Sequence, residues 1–350
     1  MSLPCGTRNY TYATDMAVIR TRTQWGLFAT GIVLLFAAPL YLGNYWLGVA
    51  NLIGITLIAA VGLNLLVGYC GQLSIGHAGF IAVGAYTSAV LTNRFGLPFL
   101  VGIICAGPVA GVIGLIFGMP SVRVKGFYLA ITTIAAQFII IWVINHWGLT
   151  GGFNGIKVPY AAIGGFVFDT EARQFYLIMV TVVICVFLAK NLARTRVGRA
   201  FIAIRDNDLA AEVMGVNLFY YKMLAFFIGC FFAGIAGSLL AHWIGFLNAE
   251  QFSLTESILY IGMLIIGGLG TALGPIFGVV TIRLLQQVLT VQLAPVLERN
   301  FTFLPLGFAT GVMPMVFGLL FILFLMFEPR GLAHRWALFK AAYRLWPFSY

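Results

Sequence analysis

Charge is what this chain has least of. Only 9% of its 350 residues are Asp, Glu, Lys or Arg, while 61% are hydrophobic. Soluble domains carry about one quarter charged residues, and a soluble fold of this length could not hide so much apolar surface. Acidic residues are scarcest. Asp15, Asp169, Glu171, Asp206, Asp208, Glu212, Glu250, Glu256, Glu298 and Glu328 all fall outside the apolar runs, with Glu256 near the edge of one. A proton-driven carrier usually needs a carboxylate inside the membrane, so this inventory argues for another energy source. There is no GxxxxGK[ST] phosphate loop, so the chain is not expected to bind ATP itself. Cys5, Cys70, Cys105, Cys185 and Cys230 show no CxxC spacing and no pairing pattern, which argues against a disulfide or zinc site. His77, His146, His242 and His334 are equally dispersed, without metal-ligand spacing.

What is abundant is continuous apolar sequence. Ten runs suit helices crossing a bilayer: 26–42, 46–67, 73–92, 98–118, 127–147, 175–192, 223–244, 257–268, 272–291 and 306–327. Most approach the roughly 20 residues that a membrane helix needs, and none shows the alternation of a membrane barrel. The predicted fold is all-α: a polytopic bundle of about ten spans. The eighth run is too short and leads into Gly267, Gly268 and Gly270, so a broken or re-entrant helix is expected there, tolerated because protein surrounds it. The 41 glycines fit close helix packing, with Gly270, Gly274 and Gly278, Gly107 and Gly111, and Gly114 and Gly118 at four-residue spacing.

Lysine and arginine set the orientation. With the N-terminus inside, the outer segments hold only Arg94, Lys157, Arg173 and Arg299, and Arg283 lies within a span. The net charge of +10 is thus read as the bias of inner loops and not as a nucleic-acid surface. Residues 1–25 are polar and unlike a cleavable leader, residues 26–328 form the membrane domain, and residues 329–350 form an inner tail. The inner loop 193–221 carries most of the interspersed charge. Within it, residues 205–215 read as a short helix. Asp208 is the expected N-cap and Gly215 the left-handed stop, with Ala210 and Ala211 on a small apolar face. So short a helix is not stable alone and suggests a docking segment; an interfacial helix lying on lipid is the alternative, opposed by Asp206, Asp208 and Glu212.

The Ala210-Ala211-x-x-x-Gly215 pattern resembles the coupling segment of ATP-binding-cassette importer permeases, although the acidic residue usual before the two alanines is Leu209 here. Further stretches are similar to permeases of the LivM type: GYCGQLSIGHAGF at 68–80, RVKGFYLAI at 123–131, LTGGFNGI at 149–156, GGLGTALGP at 267–275 and FEPRGL at 327–332. They follow family order. The resemblance implies a non-enzymatic transport subunit in a bacterial cytoplasmic membrane, moving branched-chain or other small amino acids, amides or urea. It implies a LivH-type partner permease, two ATPases that hold ATP and Mg, and an external binding protein. It places Arg205, Asp206, Asp208, Leu209, Ala210, Ala211, Glu212 and Gly215 against an ATPase groove.

For the pathway, polar residues beside a glycine-interrupted segment are the natural candidates: Gly71, Gln72, Ser74, Gly76 and His77, with Gln137 on a neighbouring span. Helix-to-helix hydrogen bonding would account for any one of them equally well. Arg283 either snorkels to an interface or faces the pathway. Two other readings stay open: a secondary transporter or channel working alone, and an intramembrane enzyme pairing Ser74 or Ser238 with His77 or His242.

Overall fold

A computed structural model describes residues 22–122, 126–293, 308–328 and 330–345. The expectations for the N-terminal segment up to residue 21, for Arg123 and Lys125, and for Glu298 and Arg299 lie outside the described residues. Helices stand at all ten predicted positions: α1 (Arg22–Tyr41), α2 (Asn44–Leu63, continued as a π-helical turn Asn64–Tyr69), α3 (His77–Asn93), α4 (Phe99–Gly118), α5 (Phe127–His146), α6 (Glu171–Arg194), α9 (Leu218–Ile244), α10 (Leu254–Gly267), α11 (Gly274–Gln287, continued as Val288–Leu293) and α12 (Phe308–Phe327). Between α6 and α9 lie α7 (Arg196–Asp206) and α8 (Asp208–Val213), and α13 (Leu332–Leu345) closes the described chain. Among the described residues five helices are long and apolar enough to cross a membrane by themselves: α2 with its π turn, α4, α5, α6 and α9.

The long helix α9 organises the bundle, packing on α2, α3 and α4. Glycine permits the contact: a Cβ on Gly84 of α3 would lie 2.3 Å from the Gly234 backbone of α9, and one on Gly237 would lie 2.0 Å from the carbonyl of Ile81. Gly107, Gly111, Gly114 and Gly118 line one face of α4 against Phe231, Phe227, Cys230 and Phe226 of α9. The glycine repeats on α4 are thus packing faces, as expected, whereas Gly270, grouped by spacing with Gly274 and Gly278, lies in the turn before α11 at a φ of +70°. Gly274 and Gly278 of α11 press on Gly268, Gly267 and Met263 of α10, which makes α10 and α11 a tight antiparallel hairpin.

The ends of the bundle differ in kind. At one end lie two small antiparallel pairings, β1 (Ile156–Lys157) with β4 (Phe246–Leu247) and β2 (Ala162–Ile163) with β3 (Phe166–Val167). At the other lie α7, α8, the α10–α11 turn and the start of α13. The segments assigned to the outside and the inside by charge therefore gather at opposite ends.

Two columns of the bundle are interrupted. Between α2 and α3 the chain leaves helix at Cys70–Gly76 territory, residues 70–76, and α3 begins only at His77. Ahead of α10, the chain leaves β4, forms a single 3-10 turn (Ala249–Phe252), and enters helix at Leu254. A 14-residue helix reaches roughly 21 Å, short of the roughly 30 Å hydrocarbon core, so α10 is the short, broken element anticipated from its sequence.

Candidate functional site

Both interruptions meet at the middle of the bundle. The backbone N–H of Ile75 donates to Thr133 Oγ1 at 2.9 Å, and that of Ala78 donates to Ser257 Oγ at 2.9 Å. Ser257 in turn donates to Gln137 Oε1 at 2.7 Å, and Gln137 Nε2 donates to the carbonyl of Phe252 at 3.0 Å. Gln137 stands midway along α5, so these bonds lie far from both ends of a 20-residue helix. They satisfy backbone groups that the two interruptions would otherwise leave bare in an apolar interior. Gly76 is required here, since a Cβ would lie 2.0 Å from the carbonyl of Thr133. His77 is fully buried, contacts the carbonyl of Ala59 through Nε2 at 3.0 Å, and sets its ring edge-on to Tyr260. The Ser74 hydroxyl and His77 Nδ1 are buried with no hydrogen-bond partner among the described residues.

The proposed pathway residues thus divide. Ser74, Gly76, His77 and Gln137 belong to this interior knot. Gly71 and Gln72 instead line a cavity of about 360 Å³ at the inner end, walled also by Arg205, Asp206, Asp208 and Lys222. Gly71 adopts a φ of +72°, which brings the chain against Arg205. Arg205 donates through Nη1 to the carbonyl of Gly68 at 2.9 Å and holds Asp206 at 2.9 Å. Asn64 completes the junction: its Oδ1 accepts from the N–H of Gly270 and its Nδ2 donates to the carbonyl of Thr271.

The inner loop is built differently from expectation in three respects. Arg205 and Asp206 end α7, an amphipathic helix that buries Phe201 and Ile204, and only α8 forms the short turn. The cap of α8 is Asn207 and not Asp208: Asn207 Oδ1 accepts from the N–H of Ala210 at 3.1 Å. Asp208 is drawn aside into an ion pair with the buried Lys222 at 3.8 Å. Ala211 is 4% exposed and packs into a cluster with Phe201, Ile204 and Phe226, so it faces this chain and not outward. The exposed apolar surface is larger than two alanines: Leu209, Val213 and Met214 stand open beside Ala210. Gly215 ends the turn at φ +86°, as read from the sequence.

A family model described as the permease component of branched-chain amino acid transport systems matches residues 45–326. The chain belongs to this permease family. The LivM permease protein of the high-affinity branched-chain amino acid transport system of Escherichia coli is 31% identical over 74% of this chain and 67% of its own length. A probable LivM permease of Methanocaldococcus jannaschii is 26% identical over 80% of this chain and 90% of its own. The LsrC permease of the autoinducer 2 import system of Escherichia coli is 25% identical over 77% and 80%. No solved structure matches the chain.

As a member of that family the chain is a multi-pass membrane permease subunit of an ATP-binding-cassette importer, and not an enzyme. Two arguments made from sequence change accordingly. Carboxylates are not confined to the loops: Glu256 lies in the first turn of α10, beside the mid-bundle Ser257, and pairs with Arg283 Nη2 at 3.1 Å. Arg283 is 7% exposed, and its Nε also donates to Thr56 on α2 at 3.2 Å, so it does not snorkel. Secondly, a serine does contact a histidine, but through a residue not singled out: Ser88 Oγ lies 2.9 Å from His242 Nε2, Ser238 donates to Ser88 at 2.8 Å, and His242 Nδ1 lies 2.7 Å from the carbonyl of Pro159. All three side chains are buried between α3 and α9. Among the described residues no carboxylate orients this imidazole, whose ring nitrogens meet Ser88 and the Pro159 carbonyl, so the trio serves as a polar tie between helices.

Proposed function

We propose that this permease moves a small amino acid, branched-chain or similar, across a bacterial cytoplasmic membrane, together with a LivH-type second permease, two ATPases and an external binding protein. The relatives named for branched-chain amino acids support the cargo; the LsrC likeness keeps other small polar solutes in view. ATP and Mg belong to the ATPases. In this reading α8, with Arg205, Asp206, Asp208, Leu209, Ala210, Ala211, Glu212 and Gly215, is the contact through which hydrolysis moves the subunit. The observation that carries it is the open face of Leu209, Val213 and Met214 at the end rich in basic residues. Three apolar side chains on a single turn need a groove to cover them.

Movement at α8 has a direct path inward. Arg205 ties α7 to the carbonyl of Gly68 at the end of the π turn, and the interrupted segment 70–76 follows at once. Gly71 and Gln72 then act as the inner gate, while Ser74, Gly76, His77 and Gln137 hold the hinge on which it turns. The deciding measurement reconstitutes the complete complex and asks which solute, presented with its binding protein, stimulates ATP hydrolysis. Stimulation by a small amino acid supports the reading. Uptake by this chain alone, without ATPases, would establish the stand-alone transporter instead.

A further inference from the structure

We propose that the outer face of the α10–α11 hairpin lines the translocation pathway and that Glu256 is the mid-membrane contact for the cargo's ammonium group. The ligand class rests on the amino-acid reading above; the pathway assignment does not.

Depth comes first. Arg283 bonds Thr56, which lies midway along the span Asn44–Tyr69, and the residue after Glu256 bonds Gln137, midway along α5. The Glu256–Arg283 pair therefore sits near the middle of the hydrocarbon thickness, roughly 15 Å from either end of a 20-residue helix. Arg283 is closed in by Thr56, Gln286 and Glu256. Glu256 is not closed in: its side chain is 29% exposed. One oxygen is held by Arg283, and the other accepts no hydrogen bond among the described residues. A carboxylate open to lipid at that depth is costly, and such groups face a water-filled cavity or a protein neighbour.

The column above it points the same way. Where a full-length helix would continue α10 outward, the chain forms the 3-10 turn Ala249–Phe252, anchored at mid-depth by the Gln137 bond to Phe252. Glu250, Gln251, Ser253 and Thr255 are exposed on this turn and the helix start. Irregular backbone with open polar side chains does not face lipid. On α11, Gln286 supports Arg283 and Gln287 reaches Tyr45 at the outer end of α2. A polar track thus descends from the outer mouth to Glu256. Its second oxygen is an acceptor, and Arg283 holds the carboxylate in place through the first, which suits a primary ammonium donor. Glu256 touches cargo; Arg283 is a positioning residue.

The test uses the complete complex in proteoliposomes, on a background without reactive cysteine. Thr255→Cys and Gln251→Cys are expected to react with a membrane-impermeant maleimide, while Phe138→Cys, exposed on α5, is not. Failure of the first two to react overturns the pathway assignment whatever the cargo is. Uptake of L-leucine is then compared with that of 2-hydroxy-4-methylpentanoate, which lacks the ammonium. Glu256→Gln is expected to lower leucine uptake by roughly tenfold to a hundredfold, the scale of one lost charged hydrogen bond, and to narrow the preference over the hydroxy acid. Glu256→Asp should recover part of both. Wild-type uptake of leucine with unchanged uptake and preference in Glu256→Gln overturns the ammonium contact alone. A wild-type complex that carries none of the common amino acids removes the amino-acid reading and, with it, the ligand assigned to Glu256.

Discussion

The two interrupted columns of the bundle reach the same depth and meet at the same knot of hydrogen bonds, yet they differ in what they leave open. Residues 70–76 show only apolar surface, at Gly71, Leu73 and Ile75, and turn their polar side chains inward: Ser74 and His77 have no exposed surface, and Gly76 rests on the α5 backbone. The turn ahead of α10 buries only Ala249 and Phe252 and leaves Glu250, Gln251 and Ser253 open. A break with its polar side chains turned inward frees the chain to bend; an open polar break exists for something outside the chain. The first has the character of a hinge and the second of a lining.

The comparison breaks most readily at Gly76. A Cβ there meets the Thr133 carbonyl at 2.0 Å, and that neighbour is backbone, which cannot swing aside as the end of a flexible side chain can. Gly76→Val is expected to cost more than about 3 kcal/mol, beyond the usual overpacking range, and to abolish recovery of folded complex in detergent. Glu250→Gln, on the open turn, should change thermal stability by no more than about 0.5 kcal/mol. Equal tolerance at the two positions would erase the distinction between hinge and lining.

The next largest effect is expected at the ion pair. Arg283→Gln leaves Glu256 uncompensated at mid-depth, which costs about 2–3 kcal/mol, less than for a fully buried pair because one side of Glu256 stays open. Replacing both residues by glutamine removes the stranded charge, so the double variant should regain most of the stability and none of the amino-acid uptake. Thermal unfolding of the purified complex reads the first quantity and proteoliposome uptake the second. Additive losses in stability would mean that the two side chains do not pair in the membrane.

What could be read in the sequence follows the range of the interactions. The ten helices were legible because a span is a local property of hydropathy, and the glycine faces because spacing along one helix is local too. Gly215 was legible because its left-handed turn depends on that residue alone. The cap of α8 was not: Asn207 and Asp208 cap equally well, and Lys222 decides between them by holding Asp208. Ala210 and Ala211 look alike in sequence, and only the fold of α7 and α9 around Phe201 and Phe226 turns one inward. Glu256 was misplaced because a hydropathy edge was taken as a membrane edge; the apolar run starts late only because the turn before it has already descended to mid-depth. Ser88 escaped notice because its partner His242 lies 154 residues away.

At the inner end, α8 supplies a smaller effect that separates docking from internal packing. Val213→Glu places a charge on the exposed apolar face and should leave the membrane bundle intact. Loss of an interface contact of about 2 kcal/mol, the threshold of a hot spot, weakens association roughly thirtyfold. The expected result is reduced co-purification of the ATPases and loss of solute-stimulated hydrolysis. Ala211→Glu should instead destabilise the permease itself, because that side chain is 4% exposed. Normal ATPase recovery and stimulation in Val213→Glu would place α8 on lipid.

The smallest effect is expected between α3 and α9. Ser88→Ala removes the hydroxyl that bridges Ser238 and His242. If the trio is only a polar tie, the loss is that of one buried hydrogen bond with a neighbour left partly unpaired, about 1–2 kcal/mol, and in a membrane interior such bonds average about 0.6 kcal/mol because the partners find others. His242 keeps its contact with the Pro159 carbonyl, so the ring should hold its place. Uptake and solute-stimulated hydrolysis are then expected to stay within about twofold of wild type, a span of roughly 0.4 kcal/mol. A nucleophile would behave otherwise, since its removal abolishes chemistry while sparing stability. Transport that collapses in a Ser88→Ala protein of unchanged melting temperature would mean that this buried serine does more than join two helices.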